Sequence, residues 1–194
     1  MSKHKRFHLK DLDLLRAELA ALGLSLPIVE DLSILGQGVR IGPHETPNRF
    51  IVQPMEGFDS TDDGSPGPLS FRRYTRYAAG GSGLIWFEAT AILHEARSNP
   101  HQLVIHQGNV DVYARLVAQT RRTAREAFGR DVVLVIQLTH SGRYSRPAGI
   151  ARPMIAHHSA VLDPIHKLAP DYPLVTDEHL DRLQEVYVEA AKLA

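Results

Sequence analysis

Cysteine is absent from the 194 residues of this sequence. Disulfide bonds, iron–sulfur clusters and zinc sites built on thiolates are therefore excluded within it, and no redox compartment can be inferred. Long apolar runs are also absent, because no stretch approaches the roughly 18–20 residues that a membrane helix needs. The basic N-terminus lacks the apolar segment of a signal peptide.

The chain has no excess of either charge, since Lys plus Arg and Asp plus Glu both number 22. A neutral chain with a pI near 7.2 argues against nucleic acid or an anionic membrane surface as a partner. The content of 43% hydrophobic and 23% charged residues is typical of a globular protein. We therefore expect a cytoplasmic domain that binds neither nucleic acid nor membrane.

The sequence divides into an N-terminal helical extension, residues 1–34, and a domain that spans residues 35–194. In the extension, leucines at positions 12, 15, 19 and 22 recur at helical spacing, and Gly23 is placed to end that helix. The segment that follows is punctuated by Pro and Gly, which predicts a loop with short extended pieces.

Three apolar segments of the domain are predicted to be strands, namely residues 49–55, 83–90 and 132–139. Segments with helical periodicity follow them, at residues 69–81, 109–129 and 176–194. Asn109 and Thr176 are expected to cap the last two helices, and Gly129 to end the second. Strands that alternate with helices predict a parallel α/β sheet, and continuous apolar strands predict burial of both sheet faces.

Polar residues end each predicted strand: Gln53 and Glu56, then Glu88 and Thr90, then Gln137, Thr139 and His140. The carboxyl ends of parallel strands meet at one edge, where both doubly wound sheets and (β/α)8 barrels bind ligands. Three polar strand ends on the same side therefore predict a binding site.

Both of these architectures fit the order of elements. No GxGxxG follows the first strand, and the GGSG at residues 80–83 precedes a strand, so we interpret it as a helix C-cap and tight turn. A TIM barrel is therefore favoured. Because a complete barrel needs ~250 residues, the sequence is predicted to hold the first three βα units and to be truncated after the third.

Three segments taken in series resemble the Old Yellow Enzyme family of FMN-dependent oxidoreductases, including its 2,4-dienoyl-CoA reductase-like members. They are NRFIVQPM, YAAGGSGLIWFEAT and VVLVIQLTHSGRYSRP, and their order and spacing agree from about residue 35 to the end. The resemblance implies FMN as cofactor, NADH or NADPH as electron donor and a small electrophilic substrate. It also implies that the substrate-anchoring pair and the phosphate-binding loops lie outside these residues, so that this N-terminal portion is expected to be inactive alone.

By position, the resemblance implies that FMN contacts come from residues after the three strands: Gln53, Pro54, Met55, Glu56, Ala89 and Gln137. Ala89 is small enough for a flat ring to lie over it, and Gln137 offers a donor and an acceptor to the pyrimidine edge of a flavin. Phe58 falls where the family often has a substrate-facing aromatic residue, although ordinary loop packing explains it equally well.

Glu56 departs from the family, which usually has a small residue near the electron-accepting edge of the flavin. An ionised carboxylate at ~4 Å would oppose flavin reduction by about 4 kcal/mol at an effective dielectric constant of ~20. Glu56 is therefore neutral, paired with an arginine or turned away. His140 and Arg143 either line the cofactor pocket or form a structural bridge, and no metal site is predicted because the loop histidines lack a ligand set.

Two functions follow as hypotheses. The first is the N-terminal portion of an FMN-dependent NAD(P)H oxidoreductase. The second is a non-catalytic half-barrel that assembles as a homo-oligomer or with a complementing C-terminal half, because open strand edges and an uncovered apolar face favour association. An unrelated barrel enzyme would have to match three strand ends by coincidence.

Overall fold

The computed structural model describes residues 8–194, which separate into two compact units with a boundary between Ile34 and Leu35. The N-terminal unit contains helix α1 (Leu12–Ala21), whose first turn is capped where the Asp11 carboxylate accepts a hydrogen bond from the Leu14 N–H at 2.9 Å. Gly23 leaves the helix at φ +64°, as the sequence predicted. A 3₁₀ turn, Ser33–Gly36, lies at the boundary.

The second unit is an α/β domain built on a parallel sheet. An antiparallel hairpin of β1 (Val39–Ile41) and β2 (His44–Thr46) precedes the sheet, whose strands lie in the order β3, β4, β5. The bounds are Ile51–Val52 for β3, Leu84–Ala91 for β4 and Val133–Thr139 for β5. The helices are α2 (Pro68–Ala79), α3 (Val110–Phe128), α4 (Leu162–His166) and α5 (Asp177–Leu193). The predicted parallel α/β organisation is confirmed.

Strand β3 is shorter than the seven residues predicted for it. Only Ile51 and Val52 pair with β4, opposite Leu84 and Ile85. The ladder ends at Val52, and Pro54, two residues further on, has no N–H with which to continue it. The chain therefore leaves the sheet early, and residues 53–58 form a loop at the carboxyl end of the sheet.

The main core lies between one face of the sheet and helices α2 and α3. Tyr74 of α2 stacks on Phe87 of β4 with ring centroids 4.1 Å apart, and Ile85 and Leu116 are almost fully buried beside them. A second cluster joins the ends of β4 and β5 to α3 and α5, with Ala190 of α5 buried in it. These contacts fix the carboxyl ends of β4 and β5 against helices α3 and α5.

The opposite face of the sheet is open within residues 8–194, so the prediction that both faces are buried was wrong. Trp86 of β4 is 38% exposed, Ile51 of β3 is exposed and every residue of β5 is only half-buried. Side chains of a strand alternate between faces, and only one face of this sheet is covered by helices.

Two of the predicted caps are confirmed and one is wrong. Gly129 ends α3 in the left-handed region at φ +65°, and the Thr176 hydroxyl accepts a hydrogen bond from the His179 N–H at 3.2 Å. Asn109 does not cap α3 with its side chain, because its amide binds backbone groups instead, accepting from the His106 N–H and donating to the Val104 carbonyl.

The glycine-rich segment at residues 80–83 is structural, as predicted. Gly81 adopts φ +83°, and a Cβ at Gly83 would lie 2.6 Å from Asn48 atoms. The Asn48 amide donates to the Gly81 carbonyl at 2.7 Å, and thereby ties the start of β3 to the turn before β4.

Candidate active site at the carboxyl end of the sheet

The strand register brings the predicted site residues to one edge of the sheet. Ala89 lies directly opposite Gln137 in the β4–β5 ladder, and Gln53 follows the last paired residue of β3. Ala89 is nearly buried, whereas Gln53 is exposed and Gln137 is half-exposed. The side-chain amides of Gln53 and Gln137 make no hydrogen bond with any part of the chain that the structure describes. Two free amides therefore lie at the same end of the sheet.

The loop after β3 presents apolar side chains at this edge. Met55 is 71% exposed and Phe58 is 44% exposed, while Pro54 is half-buried. Phe58 adopts φ +49°, in the left-handed region that a bulky residue rarely occupies. Such a conformation persists only where surrounding contacts hold it, and it commonly occurs at functional sites.

Glu88 supplies the contact that holds this loop. A register shift between Phe87 and Ala89 leaves Glu88 outside the ladder, with its side chain almost fully buried. One carboxylate oxygen accepts a hydrogen bond from the Gly57 N–H at 2.7 Å, and the other accepts one from the Tyr74 hydroxyl at 3.1 Å. Strand β4 thereby fixes the backbone of the loop between Glu56 and Phe58.

Arg73 of α2 provides the counter-charge for this buried carboxylate. Its Nη1 donates to Glu88 at 2.7 Å and its Nη2 donates to Asp59, which also accepts a hydrogen bond from the Ser70 hydroxyl. Burial opposes the charge on the guanidinium, but the two carboxylates together raise the pKa of Arg73 above its ordinary value. The pKa of Glu88 is raised, because burial outweighs the hydrogen bond from Gly57 and the charge of Arg73.

Gly57 is required at the centre of this arrangement. Any Cβ built on it would overlap the guanidinium of Arg73. The backbone of the loop passes directly against the Arg73–Glu88 ion pair, and a larger residue would displace one or the other.

Glu56 is half-buried, and its carboxylate faces Ser98 and Gln102. Its carboxylate oxygens lie 3.3 Å from the Gln102 amide nitrogen and 3.4 Å from the Ser98 hydroxyl, and it has no ion-pair partner within residues 8–194. Burial is the largest influence on its pKa, which is raised; the hydrogen bond from Ser98 lowers it and the charge of Glu88 raises it further. Of the alternatives considered from the sequence, pairing with an arginine is therefore wrong.

Gln102 is a functional candidate that the sequence did not reveal. It is fully buried, its amide nitrogen also donates to the Ala89 carbonyl at 3.0 Å, and its oxygen accepts from the Ser98 N–H at 2.6 Å. Gln102 lies in the irregular segment between β4 and α3, where no periodic pattern marks a residue as buried. Asp59 was missed because it lies in a loop without a periodic pattern, and Arg73 was missed because its partners lie on other elements.

His140 and Arg143 lie on the segment that leaves β5. The His140 Nδ1 accepts a hydrogen bond from the Gly142 N–H at 2.9 Å, and burial lowers the pKa of its imidazole. Arg143 donates to the Asp163 carboxylate and, at 2.9 Å, to the His157 carbonyl. Arg143 therefore ties the turn after β5 to helix α4.

No three His, Asp or Glu side chains converge on a possible metal position anywhere in residues 8–194. An open cavity of about 290 Å³ lies among the loops beyond β5, lined by Glu95, Pro147, Arg152, Pro153, Met154 and Tyr172. It is lined by none of the residues predicted to contact FMN.

The site lies at the carboxyl end of a parallel, helix-flanked sheet, which defines an α/β protein with its site where both TIM barrels and doubly wound sheets bind ligands. Solved structures of similar fold include Old Yellow Enzymes. The homologue from Zymomonas mobilis gives a TM-score of 0.63 at 22% identity, over 82% of this chain and 44% of that chain. The enzyme from Trypanosoma cruzi gives 0.65 at 21% identity, over 83% of this chain and 47% of that chain. Morphinone reductase in complex with tetrahydroNAD gives 0.62 at 20% identity, over 82% of this chain and 45% of that chain.

Two relatives that are similar in sequence are NADPH dehydrogenases. An NADPH dehydrogenase from Bacillus pumilus is 35% identical over 98 residues, which is 50% of this chain and 27% of the relative. An NADPH dehydrogenase from Halalkalibacterium halodurans is 28% identical over 141 residues, which is 72% of this chain and 38% of the relative. No protein-family model matches the sequence. The chain thus spans about a third of the length of these relatives, and its predicted resemblance to part of an Old Yellow Enzyme is confirmed.

None of the helices in residues 8–194 is both long and apolar enough to cross a bilayer.

Proposed function

We propose that this chain forms the part of an FMN-dependent NAD(P)H oxidoreductase that holds the ring system of the flavin. The observation that carries the proposal is the pair of unpartnered amides, Gln53 and Gln137, at the carboxyl end of the sheet. Free amides beside the small side chain of Ala89 suit a flat heterocycle with hydrogen-bonding groups along one edge. FMN, when bound, supplies the hydride-transfer chemistry between a nicotinamide and an electrophilic substrate.

Each residue of the site has a distinct part in this proposal. Gln137 and Gln53 orient the ring by hydrogen bonds, and the backbone after Met55 lies against it. Glu88 and Arg73 hold that backbone in place through the Gly57 N–H. Exposed Phe58 faces the substrate. The chain matches about a third of its curated relatives, so we expect it to bind flavin weakly and to oxidise no NADPH by itself.

An FMN titration of the purified chain tests this proposal, with flavin fluorescence and Trp86 emission as readouts. We expect weak, saturable binding that Gln137→Leu and Gln53→Leu each reduce roughly fivefold, since each removes one neutral hydrogen bond of about 1 kcal/mol. Gln184→Leu, an exposed glutamine on α5, is the matched control and should leave binding unchanged. Absence of saturable binding, or equal affinity in all three variants, would refute the assigned site.

A second candidate function is assembly, and the open face of the sheet favours it. Strand β5 pairs only with β4 among the described strands, and Trp86 and Ile51 are exposed on the uncovered face. An unpaired strand edge beside apolar surface favours association with a second copy or with a complementing polypeptide. Size-exclusion chromatography with light scattering tests this candidate, because a monomer that stays monodisperse at high concentration would contradict it.

A further inference from the structure

We propose that Glu56, Ser98 and Gln102 form a proton-holding site, in which the Glu56 carboxyl takes up and releases a proton while the surrounding heavy atoms stay in place. The site lies between the loop after β3 and the irregular segment after β4, at the same end of the sheet as Ala89. The proposal rests on the proposed function only where it couples this proton to the charge of a bound flavin.

The hydrogen bonds of the ionised form are complete. The Gln102 amide donates one hydrogen to the Ala89 carbonyl at 3.0 Å and the other to Glu56 Oε1 at 3.3 Å. The Ser98 hydroxyl donates to Glu56 Oε2 at 3.4 Å, while the Ser98 N–H donates to Gln102 Oε1 at 2.6 Å. Every donor that faces the carboxylate is therefore used.

The hydrogen bonds of the protonated form are also complete. The Ser98 hydroxyl oxygen lies 3.2 Å from Gln102 Oε1 as well as 3.4 Å from Glu56 Oε2. A proton on Glu56 Oε2 donates to Ser98, whose hydroxyl then turns and donates to Gln102. Rotation of one hydroxyl converts one hydrogen-bond arrangement into the other, since a serine hydroxyl both donates and accepts.

The charges around the carboxyl favour the protonated form. Glu88 is the charged group that acts on Glu56 from β4, and its own carboxylate is bound to Arg73 of α2, which also binds Asp59. From the segment after β4, the guanidinium of Arg97 is bound to the Pro100 carbonyl and to His94. No cation forms an ion pair with Glu56 within residues 8–194, and burial raises its pKa.

A proton held at this position would offset charge in the neighbouring site. When a bound flavin gains negative charge on reduction by hydride, the Glu56 carboxylate takes one proton from solvent and becomes a neutral acid. If one extra proton is taken up for every two electrons, the reduction potential of the flavin depends more steeply on pH, by about 30 mV per pH unit. This removes the opposition that a fixed carboxylate would present to reduction.

The first test is made on the chain without flavin, by following its ¹³C-labelled glutamate carboxyl groups by NMR through a pH titration. The Glu56 signal is identified by its loss in Glu56→Gln. We expect a midpoint above the ordinary value of about 4.3. Ser98→Ala should raise that midpoint by roughly one pH unit. The lost hydroxyl stabilises the ionised Glu56 carboxylate by a hydrogen bond more than it stabilises the neutral acid. Ser98→Thr keeps the hydroxyl and should restore the wild-type midpoint.

An ordinary midpoint in the wild-type chain, or no shift in Ser98→Ala, would overturn the proposal. The second test repeats the titration with FMN in its oxidised and reduced states, and a higher midpoint with reduced flavin is expected. An equal midpoint in the two states would overturn the coupling. Failure of FMN to bind would instead refute the proposed function and leave the result of the first titration standing.

Discussion

Replacement of Arg73 by Met is the most direct test of how the loop after β3 is held. The guanidinium bridges Glu88 and Asp59, whose side chains are 1% and 12% exposed, and its own side chain is 19% exposed. Methionine keeps most of the aliphatic volume and removes the charge. The variant therefore leaves a buried carboxylate on β4 without its counter-ion.

The size of the effect follows from this burial. Removal of one partner of a buried ion pair costs about 3–5 kcal/mol. Glu88 keeps its hydrogen bonds from the Gly57 N–H and the Tyr74 hydroxyl, so we place Arg73→Met at the lower end, about 3 kcal/mol. Arg73→Met combined with Glu88→Gln should recover about 2 kcal/mol, because the carboxamide carries no charge and still accepts from the Gly57 N–H.

The effect should depend on pH in a defined direction. The folded-state pKa of Glu88 is raised, so the folded chain binds more protons than the unfolded chain between the ordinary glutamate pKa and the raised value. Stability therefore falls as pH rises through that interval. Loss of the Arg73 charge raises the pKa of Glu88 further, so the cost of the variant is smallest at acid pH and grows toward neutral pH.

Urea unfolding followed by circular dichroism and by Trp86 fluorescence at several pH values measures these quantities. Arg72→Met is the matched control, because Arg72 is the exposed neighbour on α2 and makes no ion pair within residues 8–194. A cost below about 1 kcal/mol for Arg73→Met, or a double variant no more stable than the single one, would refute this account of the loop.

Three further outcomes are expected. Gly57→Ala should lower the free energy of unfolding by about 2 kcal/mol, because the added Cβ overlaps Arg73. Gly36→Ala is the control, since its Cβ meets no atom within 4 Å. Equal urea midpoints for the two variants would contradict this prediction. Asn109→Ala should cost about 2 kcal/mol, since the His106 N–H loses its partner and the Val104 carbonyl keeps only the hydrogen bond from the Tyr113 hydroxyl; an unchanged thermal midpoint would disprove it. Arg143→Met should expose the loop that follows β5 to trypsin, with cleavage faster by roughly tenfold than in the wild-type chain; an equal rate would show that the bridge to α4 does not hold that loop.

The positions of the strands and helices were largely predictable because they depend on local patterns. The helical periodicity over residues 69–81 corresponds to α2, in which Tyr74 and Ala78 are buried on one face, and Gly129 ended α3 where the sequence indicated. Local patterns failed where a polar side chain could bind either the helix that follows it or the segment that precedes it. Asn109 stands at the start of a helix, as a cap does, yet its amide binds the segment before it.

The polar strand ends were also predictable, because the period of two in a strand and the common direction of parallel strands require no knowledge of distant contacts. Gln53, Ala89 and Gln137 reach one edge of the sheet for this reason. The sequence also marked Glu56 as unusual, but its surroundings were open to three interpretations until Ser98 and Gln102 could be placed beside it.

The sequence by itself determined the alternation of strands and helices, the edge at which the site lies and the likeness to part of an Old Yellow Enzyme. Only the tertiary structure decided which charges meet. The contact between Gly57 and Glu88 spans 31 positions and that between Glu56 and Gln102 spans 46. Such pairings depend on how the loops fold over the sheet, and the free energy of burying a carboxyl group is set by neighbours that no local pattern encodes.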